Sequence, residues 1–292
     1  MFKDALNVKV SIKDLHSTIT EVSVDPKCTI DNLIDTLIGR KEEPSQFESI
    51  NKEQVKLFFK GLELKNDQKL TEVGIIDGSM LYMLKRLKKP VILFYNYEHG
   101  ENISVKIKLD CNLWRFDKVY PLPKKQDSNN LIWEVIYHEN NKLINPLTKR
   151  QYSSLFWEAN ITGVTYMENC NVFTLEKFFC CASSDIEDFL DNILDHIGLN
   201  TQERFDLISY WLPELKGKTY IKFSFLDQEV YNKIALMEIK PMPKKILRVI
   251  LIFLPVETYE ESTLSISEIP NFDRSQKEST VIEWGGLNLD HI

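Results

Sequence analysis

The sequence predicts an α+β protein of two domains, about residues 1–89 and 90–292, the second β-rich and sandwich-like with an inserted pair of helices. Three observations carry that reading. Short segments in which apolar and polar residues alternate recur along the chain, as half-buried strands require. Only three segments have the three- and four-residue apolar spacing of a helix. The chain has 292 residues, roughly two domains' worth, and its texture changes near Pro90.

Residues 8–12 alternate, turn at His16-Ser17-Thr18, and are answered by a second alternating run at 20–24, which makes a hairpin. Thr29 then opens a helix whose apolar stripe is Ile30, Leu33, Ile34, Leu37 and Ile38. Gly39 and the charged run to Pro44 end it, and 44–52 is a polar loop. Residues 54–59 form a short strand that runs into the turn Lys60-Gly61. Leu62, Leu64 and Leu70 punctuate a compact loop, Asp77-Gly78 makes a second turn, and 79–84 is the closing strand.

The stretch from about Asn7 to Lys88 resembles ubiquitin. The local match is strongest over Lys56-Leu57-Phe58-Phe59-Lys60-Gly61-Leu62-Glu63-Leu64, then Asp67-Gln68-Lys69-Leu70, then Asp77-Gly78 and the strand to Leu87. The resemblance implies a β-grasp fold and a protein-binding role. Where ubiquitin carries its terminal diglycine this chain has Lys88-Lys89-Pro90 and continues, so the expectation is a fixed ubiquitin-like domain with no conjugation through a C-terminal diglycine. Phe58 and Leu84 fall where ubiquitin has two members of its apolar binding patch, and Leu15 supplies a third. Strand alternation sends Leu57, Phe59, Leu81 and Met83 inward and leaves Phe58 and Leu84 outward. The basic run Lys85-Arg86-Leu87-Lys88-Lys89 at the domain junction could dock an acidic partner, so Leu15, Phe58, Leu84, Arg86, Lys88 and Lys89 are the candidate binding residues.

Beyond Pro90, strand-like runs fall at 91–95, 103–109, 131–137, 152–157, 220–225, 247–254 and 280–284, rich in aromatic and β-branched residues. A helical pair interrupts them. Ser184-Asp185-Ile186-Glu187 has the form of a capping box, and Ile186, Phe189, Leu190, Ile193, Leu194 and Ile197 form one apolar stripe before Gly198. A second helix covers 201–212 and stops at Pro213. The acidic, hydroxyl-rich stretch 257–279 reads as an irregular excursion before the last strand. Leu155-Phe156-Trp157-Glu158, Leu199-Asn200-Thr201 and Glu283-Trp284-Gly285-Gly286 occur in that order, a pattern similar to a family of uncharacterised β-rich proteins. That resemblance implies a shared fold and carries no known activity over to this chain.

Charge and cysteine usage exclude several classes. There are 36 Lys and Arg against 43 Asp and Glu, a net charge of −7, so the positive footprint of a general nucleic-acid binder is lacking. The apolar run at 249–256 is far short of the ~20 residues of a membrane helix, so no membrane partner is expected. The N-terminus shows no signal-peptide core. Cys28, Cys111, Cys170, Cys180 and Cys181 are odd in number with no CxxC pair, which points to a reducing, cytoplasmic setting without disulfides or zinc. No metal-ligand spacing among the five histidines and no phosphate-binding glycine loop occurs. No cofactor is expected.

Two groupings bear on catalysis. Glu158 and Glu283 each adjoin a tryptophan, Trp157 and Trp284, and two carboxylates across a cleft are the requirement of glycoside hydrolysis; the competing reading makes the tryptophans core anchors. Cys180 or Cys181 with His138 or His196 would form a thiol–imidazole pair, against the commoner buried structural cysteine. Gly285-Gly286 reads as a left-handed turn or a close backbone approach. The basic segment 240–245, like the junction cluster, could hold an acidic partner. The expected function is a non-enzymatic adaptor or structural component of a protein assembly, docking through the ubiquitin-like domain. The alternative is a hydrolase built on Glu158 and Glu283. Richness in Lys, Asn and Ile adds, by association alone, a cytoskeletal or ciliary assembly as the alternative setting.

Overall fold

The computed structural model describes residues 7–13, 19–38, 55–60, 62–84, 86–161, 175–274 and 277–289. The chain divides into two compact units at residues 85/86, a few residues before the expected boundary at 89/90. The cause is local: residues 86–89 already belong to a strand of the second unit.

The first unit contains β1 (Val8–Lys13), β2 (Ile19–Val24), α1 (Ile30–Ile38), β3 (Lys56–Phe59), β4 (Leu62–Glu63) and β5 (Ser79–Leu84). Its sheet has the order β2-β1-β5-β3-β4, with the β1–β2 hairpin antiparallel and β1 parallel to β5. Thr29 caps α1 as its spacing implies: Asn32 N donates to Thr29 Oγ1 at 3.2 Å, and Thr29 N to Asn32 Oδ1 at 3.3 Å. The apolar stripe of α1 then packs on Val10, Ile12, Val22, Leu57 and Leu81, all buried.

The second unit contains β6 (Arg86–Tyr95), β7 (Asn102–Leu109), β8 (Trp114–Tyr120), β9 (Lys125–Gln126), β10 (Asn130–His138), β11 (Lys142–Ile144), β12 (Gln151–Tyr152), β13 (Leu155–Ile161) and β14 (Phe179–Ala182). There follow α2 (Ile186–Ile197), α3 (Thr201–Leu215), β15 (Tyr220–Phe225), α4 (Gln228–Ile234), β16 (Ala235–Lys240), β17 (Lys245–Val256) and β18 (Thr280–Asn288). A seven-stranded sheet runs β14-β15-β17-β18-β6-β13-β8, and a six-stranded sheet runs β12-β11-β10-β7-β16 with β9 beside β10. The protein is therefore α+β. Helices α2 and α3 cover one face of the larger sheet, where Leu190, Leu194, Leu207 and Trp211 meet Val249, Leu251, Phe253 and Trp284. Strand β10 buries every second residue, the mark of a sheet with one apolar face.

Several expectations change in detail. The run 152–157 serves two sheets: it breaks at Ser153-Ser154 into the end of β12 and the start of β13. The cap of α2 is Asp185 without a side-chain bond, not a Ser184–Glu187 box. The capping box belongs to α3, where Asn200 and Glu203 bond reciprocally. Pro213 does not stop α3, which continues to Leu215. A proline in the last turn forfeits a single internal bond, and burial of Leu215 holds the turn in place. Strand β17 likewise passes Pro255, at a point where β18 has ended opposite Phe253 and only β15 still flanks it. The stretch 257–279 is the crossover that the parallel pair β17–β18 demands. Its described residues are irregular apart from a 3-10 turn at Ile266–Glu268, and Phe272 N donates to Ile197 O at the end of α2.

Candidate functional site

In the first unit, antiparallel register sets Leu57 opposite Met83, Phe58 opposite Tyr82, and Lys56 opposite Leu84. Leu57, Phe59 and Leu81 are buried, so Phe58 and Leu84 occupy strand positions out of phase with that buried set. Their side chains and that of Arg86 lie outside the described residues, as does Leu15 altogether. Ile76, which sequence reasoning passes over, is 69 % exposed beside the Asp77-Gly78 turn. Its neighbour Ile75 is buried, so nothing in an Ile-Ile pair marks which of the two faces out. The sheet order, the parallel β1–β5 pairing and the single amphipathic helix are those of a β-grasp.

Residues 6–88 match the Ubiquitin family model. No curated protein matches the chain. The ubiquitin-like unit thus accounts for the first part of the chain, and the second unit has to be read from its own geometry.

The junction lysines are not a free basic cluster. Lys88 Nζ lies 2.7 Å from Glu214 Oε1, and Asn288 Nδ2 donates to Glu214 Oε2 at 2.9 Å. Lys89 Nζ sits 4.4 Å over the Tyr210 ring and 5.7 Å from the Trp284 ring. Both lysines belong to β6, where Lys89 has a left-handed backbone (φ 53°) at the bulge opposite Trp284 and Gly286. They tie the sheet to α3, because the lysine charges find a carboxylate and two aromatic faces within reach.

The two tryptophan–glutamate motifs meet. β13 and β18 both flank β6, and Trp157 Nε1 donates to Glu283 Oε1 at 3.0 Å across the core. The other oxygen, Glu283 Oε2, accepts from Arg248 Nε at 2.6 Å. Arg248 Nη1 also donates to Asn232 Oδ1 at 2.6 Å and Ala235 O at 2.7 Å, and its guanidinium lies 3.9 Å from the Tyr231 ring centroid. Burial, above the Glu283 charge, holds the Tyr231 hydroxyl well above its ordinary pKa. Glu283 is fully enclosed, and Glu158 is buried with Oε2 3.2 Å from Lys118 Nζ. The hydrolase reading of Glu158 and Glu283 fails here: a general acid or base must reach its substrate, whereas Glu283 is locked in an ion pair under the strands.

The glycine pair answers to close approach, not to a left-handed turn. A Cβ on Gly286 would stand 2.8 Å from Trp211 Cε2 and 2.9 Å from Leu251 O, and one on Gly285 would stand 3.0 Å from Pro90 Cα. The Trp211 ring closes up on the backbone of β18 at Gly286 because nothing projects from it there.

The thiol–imidazole idea also fails. Cys180 and Cys181 are buried in β14, and burial pushes the Cys181 thiol up to about 12, away from the thiolate a nucleophile requires. His196 Nε2 lies 2.9 Å from Ile269 O, and His138 packs edge-on against His99. Among the described residues no group of three His, Cys, Asp or Glu side chains could hold a metal ion, and no helix is long and apolar enough to cross a membrane.

Proposed function

We propose that the protein is a non-enzymatic component of a protein assembly, docking through the surface of its ubiquitin-like unit. The observation that carries this is the register of β3 with β5. It sets Phe58 and Leu84 on the strand positions that alternate with the buried Leu57 and Leu81, where ubiquitin-like folds bind other proteins. A soluble chain gains nothing by presenting apolar residues there unless something covers them. Pairing of Lys88 and Lys89 with α3 favours a docking role carried by the apolar positions and Arg86 over one carried by these two lysines. Continuation of the chain through β6 supports a fixed ubiquitin-like unit over a conjugated one. For the second unit, the alternating burial of β10 and the ring contacts from Phe94 through Tyr97 to Tyr137 support a sandwich-like stacking of its two sheets. The Trp157–Glu283 bond between the two motifs supports a scaffold role for that unit. The cytoplasm, with a cytoskeletal assembly as the alternative, is the setting in which we place it.

The test is a double variant, Phe58→Ala with Leu84→Ala, in the full chain. Proteins cross-linked to the wild-type chain in its native cell are identified and then sought with the variant. The expected result is loss of a defined set of partners with far-ultraviolet circular dichroism unchanged. An unchanged partner set refutes the docking assignment, and unfolding of the ubiquitin-like unit shows that the two residues belong to its core.

A further inference from the structure

We infer that the second unit carries a docking surface for an anionic phospholipid membrane, formed by the loop after β8 and the turn between β11 and β12. The inference is independent of the role assigned to the ubiquitin-like unit. Three apolar side chains stand out of this surface: Leu122 is 82 % exposed, Leu147 85 % and Tyr120 60 %. The two segments adjoin, because the Tyr120 and Tyr152 rings meet edge-on with centroids 5.6 Å apart. Leu122 follows Tyr120 by two residues and Leu147 precedes Tyr152 by five, so chain geometry keeps both leucines within about 20 Å of that contact.

The exposure is built in. Trp133 Nε1 donates to Pro121 O at 2.7 Å and Lys124 N to Ile132 O at 2.8 Å, which pins the first loop to β10 on either side of Leu122. The second turn is closed by Asn145, whose Oδ1 accepts from Leu147 N at 2.9 Å and Thr148 N at 3.0 Å. Asn145 N also donates to Arg150 O at 3.0 Å. Leu147 therefore sits in a fixed turn that leaves its side chain exposed.

Charge selects the partner. The chain carries −7 overall, yet residues 115–125 and 147–152 hold six exposed cations; Lys118 pairs with Glu158 and Lys124 with Glu134, which leaves Arg115, Lys125, Lys149 and Arg150 against Asp117. Exposed cations in the same two segments as protruding leucines and a tyrosine match an anionic bilayer surface: cations meet the headgroups, tyrosine takes the interface, and leucines enter the acyl boundary. A nucleic acid would use the cations and leave the leucines idle. An acidic peptide would need a groove, and side chains more than four-fifths exposed form tips, not walls. The short apolar run in the sequence rules out a spanning helix there and is silent on a surface contact of this kind.

The full chain is tested by co-sedimentation with vesicles of phosphatidylcholine alone and of phosphatidylcholine mixed with phosphatidylserine. Binding to the mixed vesicles only is expected, weakening as salt shortens the screening length to about 10 Å and below. Leu122→Ser with Leu147→Ser should cut affinity about tenfold. Each of Lys125→Gln and Lys149→Gln should cut it about fivefold. All of these side chains are exposed, so unchanged tryptophan fluorescence is expected alongside. Failure to bind phosphatidylserine vesicles overturns the proposal. So does binding indifferent to the leucine pair, or binding of polyglutamate as tight as that of the vesicles, which would mark the surface as one for acidic polypeptides.

Discussion

Arg248→Met tests the idea that the Arg248–Glu283 pair holds the second unit together. Removing one partner of a buried ion pair costs about 3–5 kcal/mol, because the other charge stays enclosed without compensation. The arginine and glutamate side chains are 1 % and 0 % exposed, which places this pair at the upper end of that scale. Glu283→Leu alone should cost a similar amount. Arg248→Met with Glu283→Leu removes both charges and leaves Trp157 Nε1 and Ala235 O unpaired, while Asn232 is exposed and turns to water. Two buried orphans cost about 2–4 kcal/mol together, far less than the sum of two single losses. The double-mutant cycle built from Arg248→Met and Glu283→Leu should therefore show a coupling of several kcal/mol. All five tryptophans lie buried in the second unit, so their fluorescence during urea unfolding reports on that unit alone. A single variant should lower its melting temperature by roughly 6–20 °C. Single losses below about 1 kcal/mol, or additive ones, would refute the reasoning.

Two further predictions concern the same unit. Gly286→Ala forces a methyl group into the Trp211 ring and the Leu251 carbonyl and should cost about 1–3 kcal/mol in urea unfolding; an unchanged midpoint would mean that Trp211 moves freely. Burial raises the Tyr210 hydroxyl and the Cys181 thiol each to about 12 and raises Tyr95 and Tyr97 further, Glu203 adding to the shift at Tyr95. Unfolded tyrosine and cysteine ionise near 10 and 8.5, so the unfolded state loses its protons first. The stability these neutral groups supply is whole below about pH 8 and drains away as pH rises toward about 12. Unfolding free energy measured from pH 8 to 11 should fall steadily, and a flat profile would contradict the burial of these groups.

How far sequence carries depends on what each element must satisfy by itself. The hairpin, α1 and the closing strand of the first unit each show a full period of their own pattern, and α2 displays a complete apolar stripe before Gly198. From Val249 to Val256, β17 stands out as an unbroken apolar run because both its faces are covered. The elements that escape are those whose residues are ambiguous or few. Ala-Leu-Met-Glu-Ile-Lys in β16 is as apt for a helix as for a strand, and α4 spans too few residues to show a period. The Arg248–Glu283 pair is hidden for another reason. A buried cation in β17 demands an anion, but only the parallel register that sets Arg248 opposite Glu283 says which one. The lysines of the junction look solvated in sequence, since Glu214, Tyr210 and Trp284 reach them from elements more than a hundred residues away.

The central position of β18 also governs the order in which the second unit can be assembled. β18 lies between β17 and β6, although β6 is at the start of the unit and β18 follows it by nearly two hundred residues. During synthesis, the apolar faces of β6 and β17 emerge long before the strand that joins them. The unit cannot close from its N-terminal end forward, and its loop-closure cost falls due in one late step. Until residues 280–288 leave the ribosome, two long apolar strands stand with open edges, the state most prone to wrong pairing with other chains. A chain cut short before Thr280 keeps every helix and most strands of the unit and still lacks the strand that makes them one sheet.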